Sequence, residues 1–374
     1  MLENIEKILN MKKVRWEYMD VKLKDFKKSI PEESTINFFI DVPATIKQLY
    51  NPEIIKGISG IVNKHEKYVI SALILNMIGH YREYFINNFR CFTNVFFMYN
   101  SKIDKYIKDN VDPDYRKTYY EKRFLLENPV YSDLNCLLRD NYKRIATIID
   151  YIPHAYFIDS KDCDYRSIFP YIMDLPEFRN NFNIILTTDT LMYQNTLVGS
   201  TIVLEPRAEK TRVIKPDYII KLIGGKSKIL EKNPEYVTIQ PENIILLNAL
   251  VNHKSLDTTG IRNFGYCRAI KFLNDNGIDV ESIILNPNSL DDIFKNILTK
   301  DEIEKIKINF KIYNNFYLAN KYKKSLELAF SLSNKYYDDK MELRKVNETF
   351  YKKSPLRLDF MFRGERWLKL KFSM

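Results

Sequence analysis

Aspartates lie at or just after the ends of two short apolar runs of the chain, in positions where their carboxylates could share one pocket. Asp41 lies near the end of the run 36–42, and Asp189 comes shortly after the run 183–187. Runs of this length and apolarity predict buried strands. Oxygen ligands, chiefly carboxylates, are what Mg²⁺ prefers, and phosphodiester cleavage usually uses two such ions about 4 Å apart. The chemistry to consider first is therefore metal-dependent cleavage of a phosphodiester.

The elements that would position these acids alternate along the first two thirds of the chain. Such alternation predicts an α/β fold, with a central, mainly parallel sheet flanked by helices. In such sheets the binding crevice lies at the carboxyl ends of the strands, where Asp41, Tyr99 and Asp189 fall. Residues 201–204 and 212–214 predict a hairpin or two further short strands. The predicted strands are 36–42, 94–99, 154–158 and 183–187, and the predicted helices between them are 63–89, 134–151 and 166–174.

The remainder of the chain is predicted to be a helical C-terminal extension that packs back on the sheet domain. We expect residues 1–240 to form the α/β domain, including a charged segment over 100–130, and residues 241–374 to form the extension. The predicted helices of the extension are 246–251, 269–273, 290–297, 301–310 and 314–337.

The composition favours an anionic partner and gives no sign of a membrane protein. The 374 residues include 58 Lys and Arg against 48 Asp and Glu, a net charge of +10, which favours nucleic acid first. No apolar run approaches the roughly 20 residues that a membrane span needs, and the amphipathic start is a poor secretion signal. Four cysteines without a C-x-x-C pair predict reduced thiols in a cytoplasmic protein.

Taken in order, these motifs resemble the flap endonuclease, or 5′-nuclease, superfamily, which is related to PIN domains. The resemblance covers about residues 37–278 and implies a PIN-like α/β fold. Asp41 resembles the first metal-binding aspartate of that family. Three segments resemble, in turn, its basic aromatic stretch, its acidic strand end and its duplex-gripping helix–turn–helix: 115–123, 186–194 and 250–273.

The departures from the family pattern fall on the acids that would bind metal. Tyr99 stands where the second strand should deliver an aspartate, and Leu191 replaces the acid expected after Asp189. In the helix–turn–helix, His253 and Leu256 replace both aspartates. The resemblance therefore implies a degenerate site with no assigned catalytic residue. We expect no cofactor, or one weakly bound Mg²⁺ at Asp41 and Asp189, and the surviving acids are Asp41, Asp162, Asp164 and Asp189.

Two segments are predicted to contact nucleic acid. In the family, the basic stretch leads toward an arch over the substrate, where aromatic and basic side chains stack on and attract a single strand. Turn amides beside the glycines of the helix–turn–helix could bind phosphate oxygens, with strong salt dependence. The alternatives are a solvated helix face and a tight turn between packed helices. The predicted contacts are Arg116, Lys117, Tyr119, Lys122, Arg123, Lys254, Gly260, Arg262, Gly265 and Arg268.

Three functions remain open from the sequence. The first is a non-enzymatic nucleic-acid-binding or scaffold protein, with DNA as partner, serving a replication, repair or transcription assembly. Its composition predicts a viral, phage-like origin, in the cytoplasm of the infected host or in the virion. The second is a divergent Mg²⁺-dependent 5′ exonuclease or flap endonuclease. The third is a protein-binding subunit of a polymerase or virion complex that docks through residues 356–374.

Overall fold

The computed structural model describes 15–17, 35–44, 91–100, 146, 149, 154–205, 212–214, 220–223, 238–239, 243–251, 260–262, 264–278 and 280–333. The predictions for residues 63–89, 100–130 beyond Asn100, and 356–374 lie outside these ranges. So does most of the predicted helix 134–151. The division into 1–240 and 241–374 stays a prediction.

A six-stranded sheet forms the centre of the described fold. In spatial order its strands are β4, β3, β2, β5, β6 and β7, of which the first five are parallel and β7 runs antiparallel to β6. Three further strands, β1, β8 and β9, form a small antiparallel sheet. The strands are β1 Arg15–Glu17, β2 Thr35–Asp41, β3 Phe92–Tyr99, β4 Ala155–Asp159, β5 Phe182–Leu186, β6 Thr201–Glu205, β7 Arg212–Ile214, β8 Ile220–Ile223 and β9 Thr238–Ile239.

The central strands read as continuous apolar runs because both faces of the sheet are covered. In β2, Ile36, Phe38, Phe39 and Ile40 are all fully buried. A parallel sheet with both faces covered requires this pattern, whereas a half-exposed strand would alternate apolar and polar residues. Phe39 and the neighbouring Phe96 of β3 stack with ring centroids 4.7 Å apart. The interior is therefore aromatic as well as aliphatic.

A row of hydrogen-bonded polar side chains, the amide ladder, crosses the buried sheet near the amino ends of its strands. Asn37 of β2 donates to the carboxamide oxygen of Asn183 in β5 at 2.9 Å and accepts from Asn94 of β3 at 3.1 Å. Asn181 donates to the same Asn37 oxygen at 3.0 Å, and Asn183 donates to Thr201 of β6 at 3.2 Å. Because buried amides need partners, the ladder favours the parallel register in which these residues are opposite one another.

Nine α-helices are described, together with short 3₁₀ segments. The helices are α1 Ile168–Asp174, α2 Pro176–Arg179, α3 Ile244–Leu250, α4 Tyr266–Asn276, α5 Val280–Ile283, α6 Leu290–Phe294, α7 Lys300–Tyr313, α8 Asn315–Lys321 and α9 Lys323–Ser333. Local signals account for several ends: Thr299 and Glu302 form a capping box at α7, and Gly277 ends α4 with a φ of 54°. Where the sequence predicts one helix over 314–337, the structure has α8 and α9, joined at Tyr322.

The C-terminal helices pack on the sheet and its helices. Phe330 of α9 lies 5.5 Å from Tyr156 of β4 and 6.1 Å from Phe178, measured between ring centroids. The buried Gln194 side chain donates to the carbonyl of Tyr313 at 2.9 Å and accepts from the amide of Asn315 at 3.0 Å. The predicted fold class, a mainly parallel α/β sheet flanked by helices with a helical C-terminal extension, is confirmed. Within the described ranges, no helix has the length and apolarity to span a bilayer.

Candidate functional site

Three aspartates and one arginine converge at the carboxyl end of the parallel strands, and we call this cluster the acidic pocket. Asp41 is the last residue of β2, and Asp189 lies in the loop directly after β5. Asp164 and Arg166 lie after β4, where Asp164 caps the 3₁₀ turn Tyr165–Ser167. Asp41 and Asp189 thus lie at the same end of two neighbouring parallel strands, as the sequence predicted.

Asp41 is fully buried, and protein groups occupy both of its oxygens. Oδ1 accepts a hydrogen bond from the amide of Ala44 at 2.9 Å, and Oδ2 accepts from the hydroxyl of Thr187 at 2.5 Å. The hydroxyl of Tyr165 approaches the same Oδ2 at 3.4 Å. Thr187 in turn accepts from the amide of Asp189 at 2.9 Å, so that its hydroxyl links the two aspartates.

The surroundings of Asp41 favour its protonated form. Burial, followed by the nearby Asp189 carboxylate, raises the pKa of Asp41 to about 7, against the opposing hydrogen bonds and the Arg166 charge. A buried carboxylate loses its hydration, and protonation is the cheaper way to restore a neutral group. Near neutral pH, therefore, a substantial fraction of Asp41 carries no charge.

Arg166 is buried between two of the acids. Its side chain is 3% exposed; Nε donates to Asp164 Oδ1 at 2.8 Å, and Nη2 pairs with Asp164 Oδ2. On its other side, Nη1 lies 3.5 Å from Asp189 Oδ2. Burial alone would lower the pKa of Arg166, but the Asp164 carboxylate outweighs this and raises it well above the ordinary value. The guanidinium is therefore a permanent positive charge within the acidic pocket.

Asp162, the remaining predicted acid, and Tyr99, which replaces an expected acid, have other surroundings. Asp162 is exposed, in contrast to the buried Asp41 and Asp164. Tyr99, which stands where the family pattern has an aspartate, is the last residue of β3 and is 6% exposed. Its ring centroid lies 5.8 Å from that of Phe157. The strand β3 thus ends in a packed aromatic side chain.

The residues of the acidic pocket do not fit a divalent cation. A Mg²⁺ ion needs carboxylate oxygens that face an open coordination shell. The oxygens of Asp41 accept hydrogen bonds from protein groups, while those of Asp189 accept from the amide of Leu191 at 2.9 Å and face Arg166. A cation placed between Asp41 and Asp189 would also meet the guanidinium charge. Within the described ranges, no three His, Cys, Asp or Glu side chains are grouped so that they could hold a metal.

The predicted phosphate-binding turn lies between α3 and α4. Gly265 precedes α4 as its N-cap and offers no capping side chain, while Arg262, Gly265 and Arg268 are exposed. The Arg268 guanidinium lies 5.1 Å from the ring centroid of Phe264. The turn is tied to α3 by a hydrogen bond from the amide of Ile261 to the carbonyl of Leu250 at 2.8 Å. Two exposed basic side chains therefore flank a helix start that has no side-chain cap.

The other predicted nucleic-acid contacts fall mostly outside the described ranges. Gly260 is described and half-buried at the start of the turn. The positions that the structure does not describe are Arg116, Lys117, Tyr119, Lys122, Arg123 and Lys254, together with His253 and Leu256.

Fold and pocket together define an α/β protein with a mainly parallel sheet and a charge-paired acidic pocket at the ends of its strands. No protein-family model matches the sequence, and neither does any curated protein. Among solved structures, a bacteriophage T5 flap endonuclease in a pseudo-enzyme-product complex with DNA and metal ions is similar, with 11% identity and a TM-score of 0.49. The similarity covers 86% of this chain and 100% of that one.

Two further solved structures show the same kind of similarity. The T5 5′-exonuclease with bound zinc has 11% identity and a TM-score of 0.45, over 85% of this chain and 99% of that one. The catalytic core of Rad2 in complex with DNA substrate has 12% identity and a TM-score of 0.40, over 94% and 95%. The solved structures that are similar to this chain thus include flap endonuclease and 5′-exonuclease structures, at low identity. Because the identities are 11–12% and the TM-scores are 0.49 or lower, the role of the pocket has to be inferred from this chain's own residues.

Two residues of the pocket were not identified from the sequence. Arg166 lies only two residues after Asp164, and Thr187 two residues before Asp189. The signal available for Arg166 was a basic residue within a segment that otherwise reads as buried. Motifs that bind Mg²⁺ consist chiefly of acids. A basic residue such as Arg166 competes with a metal ion instead of binding it, so those motifs do not reveal it.

Proposed function

We propose that this protein binds nucleic acid, with DNA as the preferred partner, on a 5′-nuclease-like fold that does not cleave its ligand. The observation that carries the proposal is the buried Arg166, which pairs with Asp164 and faces Asp189. Two-metal cleavage needs a surplus of negative charge to seat both ions, and here the protein's own cation reduces that surplus. Of the two alternatives for a cofactor, we therefore favour none over one weak Mg²⁺.

Binding is supported by the overall charge of +10 and by the exposed turn between α3 and α4. Arg262 and Arg268 are both exposed there. Contacts between such side chains and phosphate oxygens position a duplex without reading its sequence. We extend the proposal to a viral, phage-like protein of the infected-cell cytoplasm or the virion. There it serves a replication, repair or transcription assembly, and residues 356–374 contact a protein partner.

The decisive experiment combines binding and cleavage on the full chain. Flap and single-stranded DNA substrates are incubated with the protein in Mg²⁺ or Mn²⁺, and the products are resolved by length. We expect salt-dependent binding without cleavage. Cleavage that disappears in either Asp41→Ala or Asp189→Ala would refute the proposal in favour of a divergent nuclease. If no DNA binds even at low salt, the protein-binding alternative takes its place.

The binding surface is tested by a charge-matched pair of double variants. Arg262→Ala with Arg268→Ala removes two charges from the turn, while Lys295→Ala with Lys300→Ala removes two exposed charges elsewhere. Each phosphate contact contributes about 0.9 to the salt slope of duplex binding, so we expect the arginine pair to lower that slope by about 2. The lysine pair should leave the slope almost unchanged. If both pairs of substitutions change the salt slope equally, DNA does not bind at the turn between α3 and α4.

A further inference from the structure

Arg166 differs from an ordinary surface arginine in its depth and in the number of acids around it. The whole residue is 2% exposed, at the position where β2, β4 and β5 deliver their carboxylates. Taking a guanidinium out of water is costly unless acids and hydrogen bonds compensate for the lost hydration. Asp164 supplies the bidentate partner and Asp189 a second carboxylate. The guanidinium therefore has the polar surroundings that a cation requires at this depth.

The charge balance of the acidic pocket indicates what the guanidinium does. Asp41, Asp164 and Asp189 are three carboxyls that belong to different segments and meet at one sheet end. Such a convergence is stable only if its negative charge is relieved, by protonation as at Asp41, by a bound cation or by a basic side chain. In the part of the chain that the structure describes, Arg166 is the partner in the ion pairs of Asp164 and of Asp189.

We infer that Arg166 is a built-in counterion that takes the place of a divalent cation in the acidic pocket. Removing its charge should therefore create a binding site for a divalent cation that prefers oxygen ligands, such as Mg²⁺ or Mn²⁺. This inference rests on the part of the proposed function that denies the pocket a metal, and it is independent of nucleic-acid binding. Asp164 Oδ2 and Asp189 Oδ2 would be freed as ligands, because these are the oxygens that now face the guanidinium nitrogens. The other oxygens keep their backbone hydrogen bonds, from the amide of residue 166 to Asp164 and from that of Leu191 to Asp189.

The test measures Mn²⁺ binding to the full chain by the loss of the free-ion electron paramagnetic resonance signal, together with the thermal midpoint. We expect Arg166→Ala to bind Mn²⁺ at least tenfold more tightly than the wild type, with a midpoint that rises as Mn²⁺ is added. Arg166→Lys keeps a positive charge and should behave as the wild type does. Arg166→Ala combined with Asp189→Asn removes a proposed ligand and should lose the gained affinity.

Variants without the guanidinium are expected to be less stable. A second neutral substitution is therefore included in case the first does not fold. Arg166→Gln is neutral but keeps an N–H donor for Asp164, and it decides the matter if Arg166→Ala does not fold. Unchanged Mn²⁺ affinity in whichever neutral variant folds would overturn the inference, as would an equal gain in Arg166→Lys. Failure of DNA binding would refute the proposed function and leave this result standing, because no nucleic acid is present in the titration.

Discussion

Replacing Asp41 with asparagine should remove a pH dependence of stability that this one buried carboxyl creates. Its pKa is raised from 3.8 to about 7, first by burial and then by Asp189. A carboxyl with a higher pKa in the folded state binds more protons there than when unfolded. Its contribution is therefore fully present below the unfolded pKa and is lost as the pH rises through about 7.

The size of the effect follows from the shift. A change of about 3 pKa units at 1.36 kcal/mol per unit corresponds to about 4 kcal/mol in total, of which about 3 kcal/mol falls between about pH 5 and about pH 8. Asparagine resembles the protonated carboxyl: its oxygen can accept from Ala44, and its amide can donate to the Thr187 hydroxyl. We therefore expect the variant to fold and to gain stability relative to the wild type as the pH rises.

The assay is urea unfolding at both pH values for the wild type, Asp41→Asn and the exposed control Asp162→Asn. Subtracting each variant from the wild type cancels the titration of groups common to both proteins. The reasoning fails if the difference for Asp41→Asn changes with pH no more than the difference for Asp162→Asn. It fails equally if the wild type becomes less stable relative to Asp41→Asn on acidification.

Three further substitutions test contacts of the fold away from the pocket. Asn37→Leu should lower the free energy of unfolding by at least about 3 kcal/mol, because the buried Asn94 and Asn183 side chains and the carbonyl of Phe178 lose their partner. Asn288→Leu, at an exposed position, should change it by under about 0.5 kcal/mol, and urea unfolding of the two variants separates them. Thr299→Ala should cost about 1 kcal/mol through the lost capping box, and Thr299→Ser should recover most of it in the same measurement. Lys323→Ala should cost under about 1 kcal/mol in thermal unfolding, since its pair with Asp174 is exposed, and a larger loss would show that the contact matters for more than charge.

The strands could be predicted from the sequence because burial on both faces leaves continuous apolar runs. The predicted run 36–42 is the strand Thr35–Asp41, and 94–99 lies within Phe92–Tyr99. The helices of the extension were harder to delimit. Every residue of Ile244–Leu250 is buried, so no polar face marks where that helix begins, and the prediction started two residues late.

The pocket could be predicted in its location but not in its charge. Because the ends of parallel strands meet at one edge, the sequence was sufficient to bring Asp41 and Asp189 together. It could not show that Arg166 turns inward, since a basic residue after a strand is as compatible with solvent as with a buried ion pair. The missing information is the direction of a side chain, which depends on the packing of the whole sheet end.

The amide ladder has a consequence for the speed of unfolding. Asn37 is separated along the chain by 57 residues from Asn94 and by 146 from Asn183. Contacts between such distant segments form only after large loops have closed, so they are expected late on the folding pathway. Interactions absent from the transition state slow unfolding and leave the folding rate nearly unchanged. The ladder should therefore lower the unfolding rate of the native sheet by a larger factor than it raises the folding rate.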